Sequence, residues 1–334
     1  MSLIVDGLTV KLYTNLKKKE FFNVADSVSF SVQNGEVIAI VGESGSGKSF
    51  LGLSLMRLNP PYISEISSGN IYVSYHQENS EKINIAKLKE NKLSDVRGRL
   101  ISMIFQDPNV SLNPVIKIGD QIIEAILAHK KMKKKDAADI AINYLELMRI
   151  DGKARFNSYP HELSGGMRQR VMIAMAMVLN PAVLVADEPT TALDVRTSLQ
   201  VLALIEKMRV EKNVSVIFIS HDLSIARNIS DKTIVFYAGQ IMEYGKTEDI
   251  INNPVHPYTI SLIKSVPALS KDYVPREKLF VIPGSLSQND FKSGKCRFYN
   301  RCFKKTDECL NEISLLKLNV KLNGERFARC INIK

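Results

Sequence analysis

The stretch Gly42-Glu43-Ser44-Gly45-Ser46-Gly47-Lys48-Ser49 decides the fold that this chain can adopt. It fits the pattern G-x-x-x-x-G-K-[ST] of a phosphate-binding loop. The apolar residues 37–41 before it predict a strand, and residues 50–56 after it predict a helix. In that setting the glycines let backbone N–H groups turn towards phosphate oxygens, and the helix start adds free donors. A glycine- and serine-rich turn that binds nothing is the alternative, and the flanking strand and helix argue against it.

The phosphate loop, defined as residues 42–49, supplies the predicted contacts to a bound triphosphate. Lys48 brings a positive charge to the outer phosphates, and the Ser49 hydroxyl is a ligand for Mg²⁺. The expected nucleotide ligands in this loop are Gly42, Ser44, Gly45, Ser46, Gly47, Lys48 and Ser49.

Length and composition indicate an ordinary globular protein. The chain has 334 residues, of which 45% are hydrophobic and 24% are charged, so it can form one large domain or two modest ones. No apolar run approaches the ~18 residues that span a bilayer, and the N-terminus lacks a basic start followed by an apolar stretch. We therefore expect a soluble, cytosolic chain that meets a membrane only through a partner.

The net charge of +10 is compatible with a nucleic acid or an anionic membrane surface nearby. Lysines cluster at 17–19 and within 130–135, without the interleaved aromatic side chains that stack on bases. Solvated lysine-rich loops near a membrane surface are the favoured interpretation, and no nucleic-acid partner is expected.

Strand and helix patterns alternate along the chain, which predicts an α/β fold with a mostly parallel, covered sheet. Residues 118–179 have mainly helical periodicity and look like an insertion. Ala238-Gly239 between two apolar runs predicts a hairpin. Strands are predicted at 3–13, 27–32, 37–41, 69–75, 100–105, 182–186, 215–219, 234–237 and 240–243, and helices at 50–56, 118–128, 137–148, 167–179 and 198–209.

Two carboxylates, Asp187 and Glu188, follow the apolar strand at 182–186. Downstream of a phosphate loop, Asp187 is expected to hold Mg²⁺ directly or through water. Glu188 is then expected to face the γ-phosphate, where a base can polarise the attacking water.

A second helix start has the same physical character. In Leu163-Ser164-Gly165-Gly166-Met167, the signature segment, Ser164 is an N-cap residue and the glycine pair leaves backbone N–H groups open. The helix that follows directs its positive end at whatever binds there. By itself the segment is also compatible with a simple capped helix.

The order of the motifs resembles an ABC-transporter nucleotide-binding subunit. They are the phosphate loop, Gln106, the signature segment, Val185-Ala186-Asp187-Glu188, Ala192-Leu193-Asp194 and Ser220-His221-Asp222. Residues 106–114, 253–259 and 282–284 are similar to segments of the ATPases of oligopeptide, dipeptide and nickel importers. With these segments included, the resemblance runs nearly end to end.

The resemblance implies a role for each matching residue. Gln106 would sense Mg²⁺ and the attacking water and link the nucleotide site to a permease, and His221 would hold the γ-phosphate and the water. Ser164, Gly165 and Gly166 would bind the γ-phosphate of ATP held by another subunit, and Asp194 would order the contact between subunits. Glu188, His221 and Gln106 are thus the predicted catalytic residues, with Ser49, Gln106 and Asp187 around Mg²⁺. An aromatic side chain would stack on adenine, and Tyr13 is preferred over Phe22.

The resemblance also implies an architecture. We expect a P-loop NTPase of the ABC ATPase type, with a mixed sheet core, N-terminal antiparallel strands and a helical subdomain at about 107–180. The nucleotide-binding domain is expected at 1–252, followed at 253–334 by an oligopeptide/dipeptide-type C-terminal extension that contains the four cysteines.

The implied function is ATP hydrolysis that energises import of short peptides through a separate membrane permease. Two such ATPases, identical or related, would close head to tail around ATP against two transmembrane permease subunits, at the cytoplasmic face of the (inner) membrane. An extracytoplasmic solute-binding protein would take part indirectly. Nickel or another small solute is an alternative cargo. A soluble ABC ATPase acting on nucleic acid or ribosomes is disfavoured, because this chain has one cassette and no sustained heptads.

The cysteines Cys296, Cys302, Cys309 and Cys330 all lie near the C-terminus, with gaps of five, six and twenty residues. Disulfides are not expected in a reduced cytosol, and the C-x₂-C pairs of common zinc sites are absent from the sequence. Four thiolates form a complete ligand set for an iron–sulfur cluster or for zinc, and unligated thiols are the third possibility. The resemblance favours a four-iron, four-sulfur cluster, although Phe303 stands where the family often has proline.

Overall fold

The computed structural model describes residues 1–75, 81–191, 193–266, 280–318 and 325–333. The chain divides into two compact units. The first unit comprises residues 1–3, 32–36 and 72–217, and the second comprises residues 4–31, 37–71 and 218–334. Ala192, which belongs to the Ala192-Leu193-Asp194 motif, lies outside the described residues.

Strands and helices alternate through the described chain. The strands are β1 Leu3–Asn15, β2 Glu20–Val32, β3 Val37–Val41, β4 Ser64–Val73, β5 Ile83–Asn84, β6 Ile101–Ile104, β7 Val183–Asp187, β8 Ser215–Ser220, β9 Lys232–Tyr237, β10 Gln240–Lys246, β11 Leu316–Lys317 and β12 Phe327–Ala328. The helices are α1 Lys48–Leu55, α2 Glu90–Val96, α3 Pro108–Ser111, α4 Ile118–Leu127, α5 Lys134–Leu147, α6 Gly152–Arg155, α7 Gly165–Met177, α8 Val195–Lys212, α9 Leu223–Ile229, α10 Thr247–Asn252, α11 Pro257–Lys264 and α12 Gln288–Phe291. Short 3-10 helices lie at Ile85–Lys87, Pro160–Glu162, Tyr299–Arg301 and Asp307–Leu310.

In the second unit, parallel pairing places the strand before the phosphate loop in the core. All five residues of β3 are buried, and β3 pairs with β9 from Ile38↔Lys232 to Val41↔Val235. A run of apolar residues without alternation is expected for a strand covered on both faces. β9 returns as the antiparallel strand β10 through Ala238 and Gly239, which have φ of 46° and 84°. The predicted hairpin is thereby confirmed, since positive φ at both turn residues suits the twist of paired strands.

The C-terminal residues of the second unit continue this sheet. β12 pairs with β10 at Glu243↔Ala328 and Tyr244↔Phe327, and β11 pairs with β12. At the N-terminal end of the chain, β1 lies between β2 and β4. β1 and β2 are longer than the sequence predicted, because each extends towards the lysine-rich turn near residues 16–19.

In the first unit, β6 pairs with β7 in parallel, from Ile101↔Val183 to Ile104↔Ala186. Every residue of both strands is buried. The helices α4, α5 and α7 pack against one another, which agrees with the predicted helical block. The α/β fold with parallel and antiparallel strands is confirmed. No helix within the described residues is long and apolar enough to cross a bilayer.

Candidate nucleotide-binding site

The phosphate loop connects β3 to α1, as the sequence predicted. Gly42 has φ of 158°, and a Cβ atom there would come within 2.1 Å of the carbonyl oxygen of Phe236. Gly47 has φ of 102°, and its Cβ would meet the carbonyl oxygen of Val24 at 2.5 Å. Backbone atoms cannot give way as a flexible side chain can, so glycine is required at both ends of the loop.

Lys48 is the first residue of α1, and only 4% of its surface is exposed. Its Nζ donates hydrogen bonds to the carbonyl oxygens of Gly42 at 2.8 Å and Glu43 at 2.9 Å. It also contacts the Ser46 hydroxyl at 3.4 Å. The ammonium group is thus fixed against the loop, where an anion would find a charge at the start of a helix. Ser49 follows it in the first turn of α1. This glycine-lined cradle with a buried cation has the chemistry that a triphosphate and Mg²⁺ require.

In the first unit, two predicted catalytic residues contact each other. The Nε2 of Gln106 donates to Oε2 of Glu188 at 3.1 Å. The Thr191 hydroxyl donates to the same oxygen at 2.8 Å. Two donors on one carboxylate oxygen fix the direction of the carboxylate, as a general base requires. Asp187 precedes this pair at the end of β7 and is buried.

The backbone at Glu188 is unusual, with φ of 45°. A non-glycine residue at positive φ costs of order 1–3 kcal/mol and persists where surrounding contacts hold it. The bonds from Gln106 and Thr191 are such contacts. The sequence did not predict Thr191, because its hydroxyl reaches Glu188 only through the turn that follows β7.

The signature segment starts α7 as expected. The Ser164 hydroxyl accepts a hydrogen bond from the Met167 N–H at 3.3 Å and caps the helix. A Cβ at Gly165 would have no neighbour within 4 Å among the described residues, whereas one at Gly166 would meet Cγ2 of Thr197 at 2.6 Å. The two glycines therefore differ: Gly165 borders open space and Gly166 permits close packing against α8.

Asp194 lies beside this segment as the N-cap of α8. Its two carboxylate oxygens accept from Thr197, one from the backbone N–H at 3.0 Å and the other from the hydroxyl at 2.6 Å. These bonds lower the pKa of Asp194. Thr197 contacts Asp194 and would contact a side chain at position 166, so the structure brings the signature segment and Asp194 together.

His221 is exposed and lies between β8 and α9 in the second unit. Its neighbours form a local capping arrangement, in which Asp222 donates its N–H to the Ser220 hydroxyl at 2.9 Å and accepts from Ser224 at 2.7 Å. This turn holds the backbone on both sides of His221.

The two aromatic candidates for adenine have different surroundings. Tyr13 is half-buried on β1 and donates its hydroxyl to Glu65 at 2.8 Å, which raises the pKa of Tyr13. Its ring lies 5.8 Å from that of Phe21. Phe22 packs instead on Phe291, with ring centroids 4.8 Å apart. Tyr13 and Phe22 are both half-buried, so burial does not separate them, and Tyr13 stays the preferred candidate.

All four cysteines belong to the second unit. Cys309 and Cys330 are buried, and Cys296 and Cys302 are half-buried. Burial, with the nearby thiols adding to it, raises the pKa of Cys296 to about 11. The donor set suits a metal centre chemically, yet no group of three or more His, Cys, Asp or Glu side chains is arranged to hold a metal ion within the ranges that the structure describes.

Comparisons with known proteins agree with this geometry. Residues 25–191 match the family described as ABC transporter, and residues 242–309 match the oligopeptide/dipeptide transporter C-terminal region. The oligopeptide transport ATP-binding protein AppD of Bacillus subtilis (strain 168) is 42% identical over 318 residues, which cover 95% of this chain and 94% of that protein. A putative peptide import ATP-binding protein of Brucella abortus (strain 2308) is 38% identical over 333 residues, or 98% and 96% of the two chains.

Solved structures show the same fold. One is the ATP-binding cassette MJ0796 in a dimeric post-hydrolysis state bound to ADP and Pi. It superposes with a TM-score of 0.63 at 26% identity, and the match covers 73% of this chain and 98% of that chain. The structure of cbiO1 from Clostridium perfringens, part of the ABC transporter complex cbiONQ, gives a TM-score of 0.60 at 25% identity. The match covers 75% of this chain and 90% of that chain. By its sequence match and by its fold, the chain belongs to the ABC transporter family and carries the C-terminal region of the oligopeptide/dipeptide branch.

Proposed function

We propose that this chain is the ATP-hydrolysing subunit that energises import of short peptides through a separate membrane permease. The observation that carries the proposal is the match to a peptide-transport relative over 95% of the chain, which includes the C-terminal region. An ABC ATPase uses ATP and Mg²⁺, and the buried Lys48 in its glycine cradle supports triphosphate binding at the phosphate loop. A domain division at about residue 252 is part of the same proposal.

Each candidate residue has a stated task in this proposal. The loop N–H groups and Lys48 hold the β- and γ-phosphates, and Ser49, Asp187 and Gln106 are the candidates for holding Mg²⁺. Bound there, the metal would offset negative charge that develops on the phosphates. Glu188 accepts a proton from the attacking water, with His221 beside the γ-phosphate. The paired donors on Glu188 support this assignment, because they fix the direction of its carboxylate.

A second ATPase subunit, identical or related, completes the site in this proposal. Gly165 borders open space at the start of a capped helix, which supports contact of the signature segment with phosphate held by another chain. ATP then acts as a ligand that favours the closed pair, and closure moves two permease subunits. The chain would sit at the cytoplasmic face of the (inner) membrane through that permease, with an extracytoplasmic binding protein delivering the peptide.

Reconstitution tests the proposal. The chain would be purified from membranes with its associated subunits, and every protein in the complex identified. The complex would be placed in vesicles so that this subunit and ATP are both on the luminal side. Uptake of short peptides and of Ni²⁺ into these vesicles would then be measured. We expect ATP-dependent peptide uptake that Lys48→Ala abolishes. If the vesicles take up Ni²⁺ and no peptide, the cargo is nickel and not peptide. If the chain is isolated with nucleic acid instead of permease subunits, the proposal is wrong.

For the cysteine group we propose a structural iron–sulfur cluster, with zinc as the alternative. The charges of the other three thiols add to burial in raising the pKa of Cys296, which supports a common site for the four cysteines. Protein prepared without oxygen should contain about four iron atoms per chain and absorb visible light. Stoichiometric zinc without iron would identify the zinc site. If the protein contains neither metal, the four thiols are unligated.

A further inference from the structure

The second residue of the phosphate loop is held by side chains from the C-terminal part of the second unit. Arg301 donates from Nη1 to Oε2 of Glu43 at 2.8 Å. The Arg301 side chain is 7% exposed and that of Glu43 is 23% exposed. The other carboxylate oxygen of Glu43 is buried and has no hydrogen-bond partner within the described residues. Arg301 therefore pairs with the charge that Glu43 carries into this partly buried position.

Tyr258 makes the second contact to the same residue. Its hydroxyl accepts a hydrogen bond from the backbone N–H of Glu43 at 2.9 Å. Tyr258 is fully buried, and its ring packs against Tyr237 at 4.7 Å and Phe298 at 5.2 Å between centroids. A buried ring with fixed neighbours leaves the hydroxyl little freedom, so it fixes the direction of the Glu43 N–H.

Arg301 is itself anchored before it reaches the loop. Its Nε donates to the carbonyl oxygen of Pro283 at 2.7 Å, and its Nη2 donates to that of Gly284 at 3.3 Å. Nη1 also contacts the Tyr237 hydroxyl at 3.2 Å. The planar guanidinium group is thus fixed by its other contacts, as a positioning group requires. Two segments that the sequence analysis singled out therefore act on Glu43: residues 256–258 through Tyr258, and residues 282–284 through Arg301.

Movement of Glu43 would reach the nucleotide ligands directly. Its carbonyl oxygen accepts from Nζ of Lys48 at 2.9 Å, and it also accepts from the N–H of Ser46 at 3.2 Å. The preceding Gly42 lies so close to the Phe236 carbonyl that a Cβ atom there would come within 2.1 Å of its oxygen. A displaced Glu43 would therefore turn loop N–H groups and Lys48 away from phosphate, and binding depends on their common direction.

A second arginine of the same segment acts on the other side of the loop. Arg297 donates from Nη1 to the carbonyl oxygen of Ala238. The next residue, Gly239, donates its N–H to the carbonyl oxygen of Ser46 at 2.9 Å. Residues 297–301 thus support the loop at Glu43 and, through the hairpin, at Ser46.

We propose that Arg301 is a positioning residue for nucleotide binding, which holds Glu43 so that, with Tyr258, the phosphate loop keeps its binding conformation. This inference rests on the proposed role of the phosphate loop in holding ATP. It assigns to the C-terminal region a part in forming the nucleotide site of its own chain.

The test measures the Kd of Mg²⁺–ATP by calorimetry for the full chain, together with kcat and KM for hydrolysis. Arg301→Gln and Glu43→Gln should each raise Kd about tenfold, or about 1.4 kcal/mol at 25 °C. The double variant should lose no more than either single one, because both remove the same contact. KM should rise more than kcat falls, which a general loss of stability would not produce. Lys317→Gln is the matched control, since it removes an exposed ion pair with Glu325 from the same region.

Tyr258→Phe tests the inference even if Arg301→Gln does not fold. This variant removes only the acceptor for the Glu43 N–H and keeps the buried ring. It should melt close to the parent and still bind ATP more weakly. Folded Arg301→Gln or Tyr258→Phe protein with the Kd of the parent would overturn the inference, and so would additive losses in the double variant. Lys48→Ala in the same assay separates the two proposals. If Lys48→Ala binds ATP as the parent does, the proposed role of the phosphate loop is wrong. If Lys48→Ala binds ATP more weakly while Arg301→Gln and Tyr258→Phe bind it as the parent does, only the positioning role of Arg301 is wrong.

Discussion

Gln106 and Glu188 are 82 positions apart in sequence and share a hydrogen bond of 3.1 Å between Nε2 and Oε2. Gln106 follows β6 and Glu188 follows β7, and these two strands pair in parallel register. Carboxyl ends of neighbouring parallel strands meet at one edge of a sheet, so the pairing of strands determines the contact between the side chains. The bond joins Glu188, the proposed general base, to Gln106, the residue proposed to connect the nucleotide site with a permease.

The first prediction concerns Glu188→Gln. Glutamine keeps the size and an acceptor for Gln106 but cannot accept a proton, so turnover should fall by roughly 10²–10⁴-fold. That loss corresponds to about 3–5 kcal/mol of barrier. ATP binding should persist. Steady-state hydrolysis and the Kd of ATP would be measured beside Glu206→Gln, a control that neutralises an exposed carboxylate paired with Arg209. Near-normal turnover in Glu188→Gln would remove Glu188 from the mechanism.

The second prediction separates the two glycines of the signature segment. Gly166→Ala introduces a Cβ at 2.6 Å from Thr197, whose hydroxyl is engaged with Asp194. Overpacking costs about 1–3 kcal/mol, against which the better helix propensity of alanine returns about 1 kcal/mol. Its melting temperature should therefore fall slightly or stay level.

Gly165→Ala should melt at or above the temperature of the parent, because its Cβ would meet none of the described residues within 4 Å. It should nevertheless impair the ATP-dependent dimer, since a methyl group would lie where phosphate of the second subunit is proposed to bind. Dimer formation would be followed by light scattering with ATP in the Glu188→Gln background. Unchanged dimerisation of Gly165→Ala would contradict contact between this glycine and the nucleotide.

The third prediction is a pH dependence of stability at His256. Burial lowers the pKa of this imidazole to about 3, and the charge of Arg329 acts in the same direction. Glu243 is the nearby carboxylate, and it accepts from the His256 backbone N–H at 3.0 Å. An unfolded histidine has a pKa near 6.5, so the unfolded state binds the extra proton as pH falls from about 6.5 towards 3. Stability is then lost on acidification, by about 1.4 kcal/mol at pH 5.5.

His256→Asn is the variant that isolates this effect. Nδ1 of His256 accepts from the Tyr258 N–H at 3.0 Å as the cap of α11, and asparagine can supply a capping oxygen there without titrating. Urea unfolding at pH 7.5 and pH 5.5 should show a smaller loss for His256→Asn than for the parent. Equal losses in the two proteins would assign the acid sensitivity to other groups.

The fourth prediction concerns a buried ion pair behind the hairpin. Arg326 contacts Glu243, and their side chains are 2% and 0% exposed. Arg326→Met would leave a buried carboxylate without its cation, at a cost of about 3–5 kcal/mol. Lys317→Gln, which breaks an exposed pair, should change the free energy of unfolding by less than about 1 kcal/mol. Chemical denaturation of both variants compares the two, and similar losses would show that burial does not govern the strength of this pair.

The sequence by itself determined the phosphate loop, the buried strand and the helix on either side of it, and the hairpin at Ala238-Gly239. These features depend on local rules: apolar runs of fixed period, glycine where φ is positive, and polar residues where helices start. The roles assigned to Glu188 and His221 needed, in addition, the order of several motifs along the chain.

Only the tertiary structure decided which distant side chains meet. Arg301 and Glu43 are 258 positions apart, and neither position has a local pattern that specifies its partner. An ion pair of this kind depends on how the strands pair and on which side chains burial brings within 3 Å of one another, and sequence periodicity contains neither. The supporting groups at Thr191, Tyr258 and Arg301 were therefore found in the fold, whereas the residues that they support could be identified from the sequence.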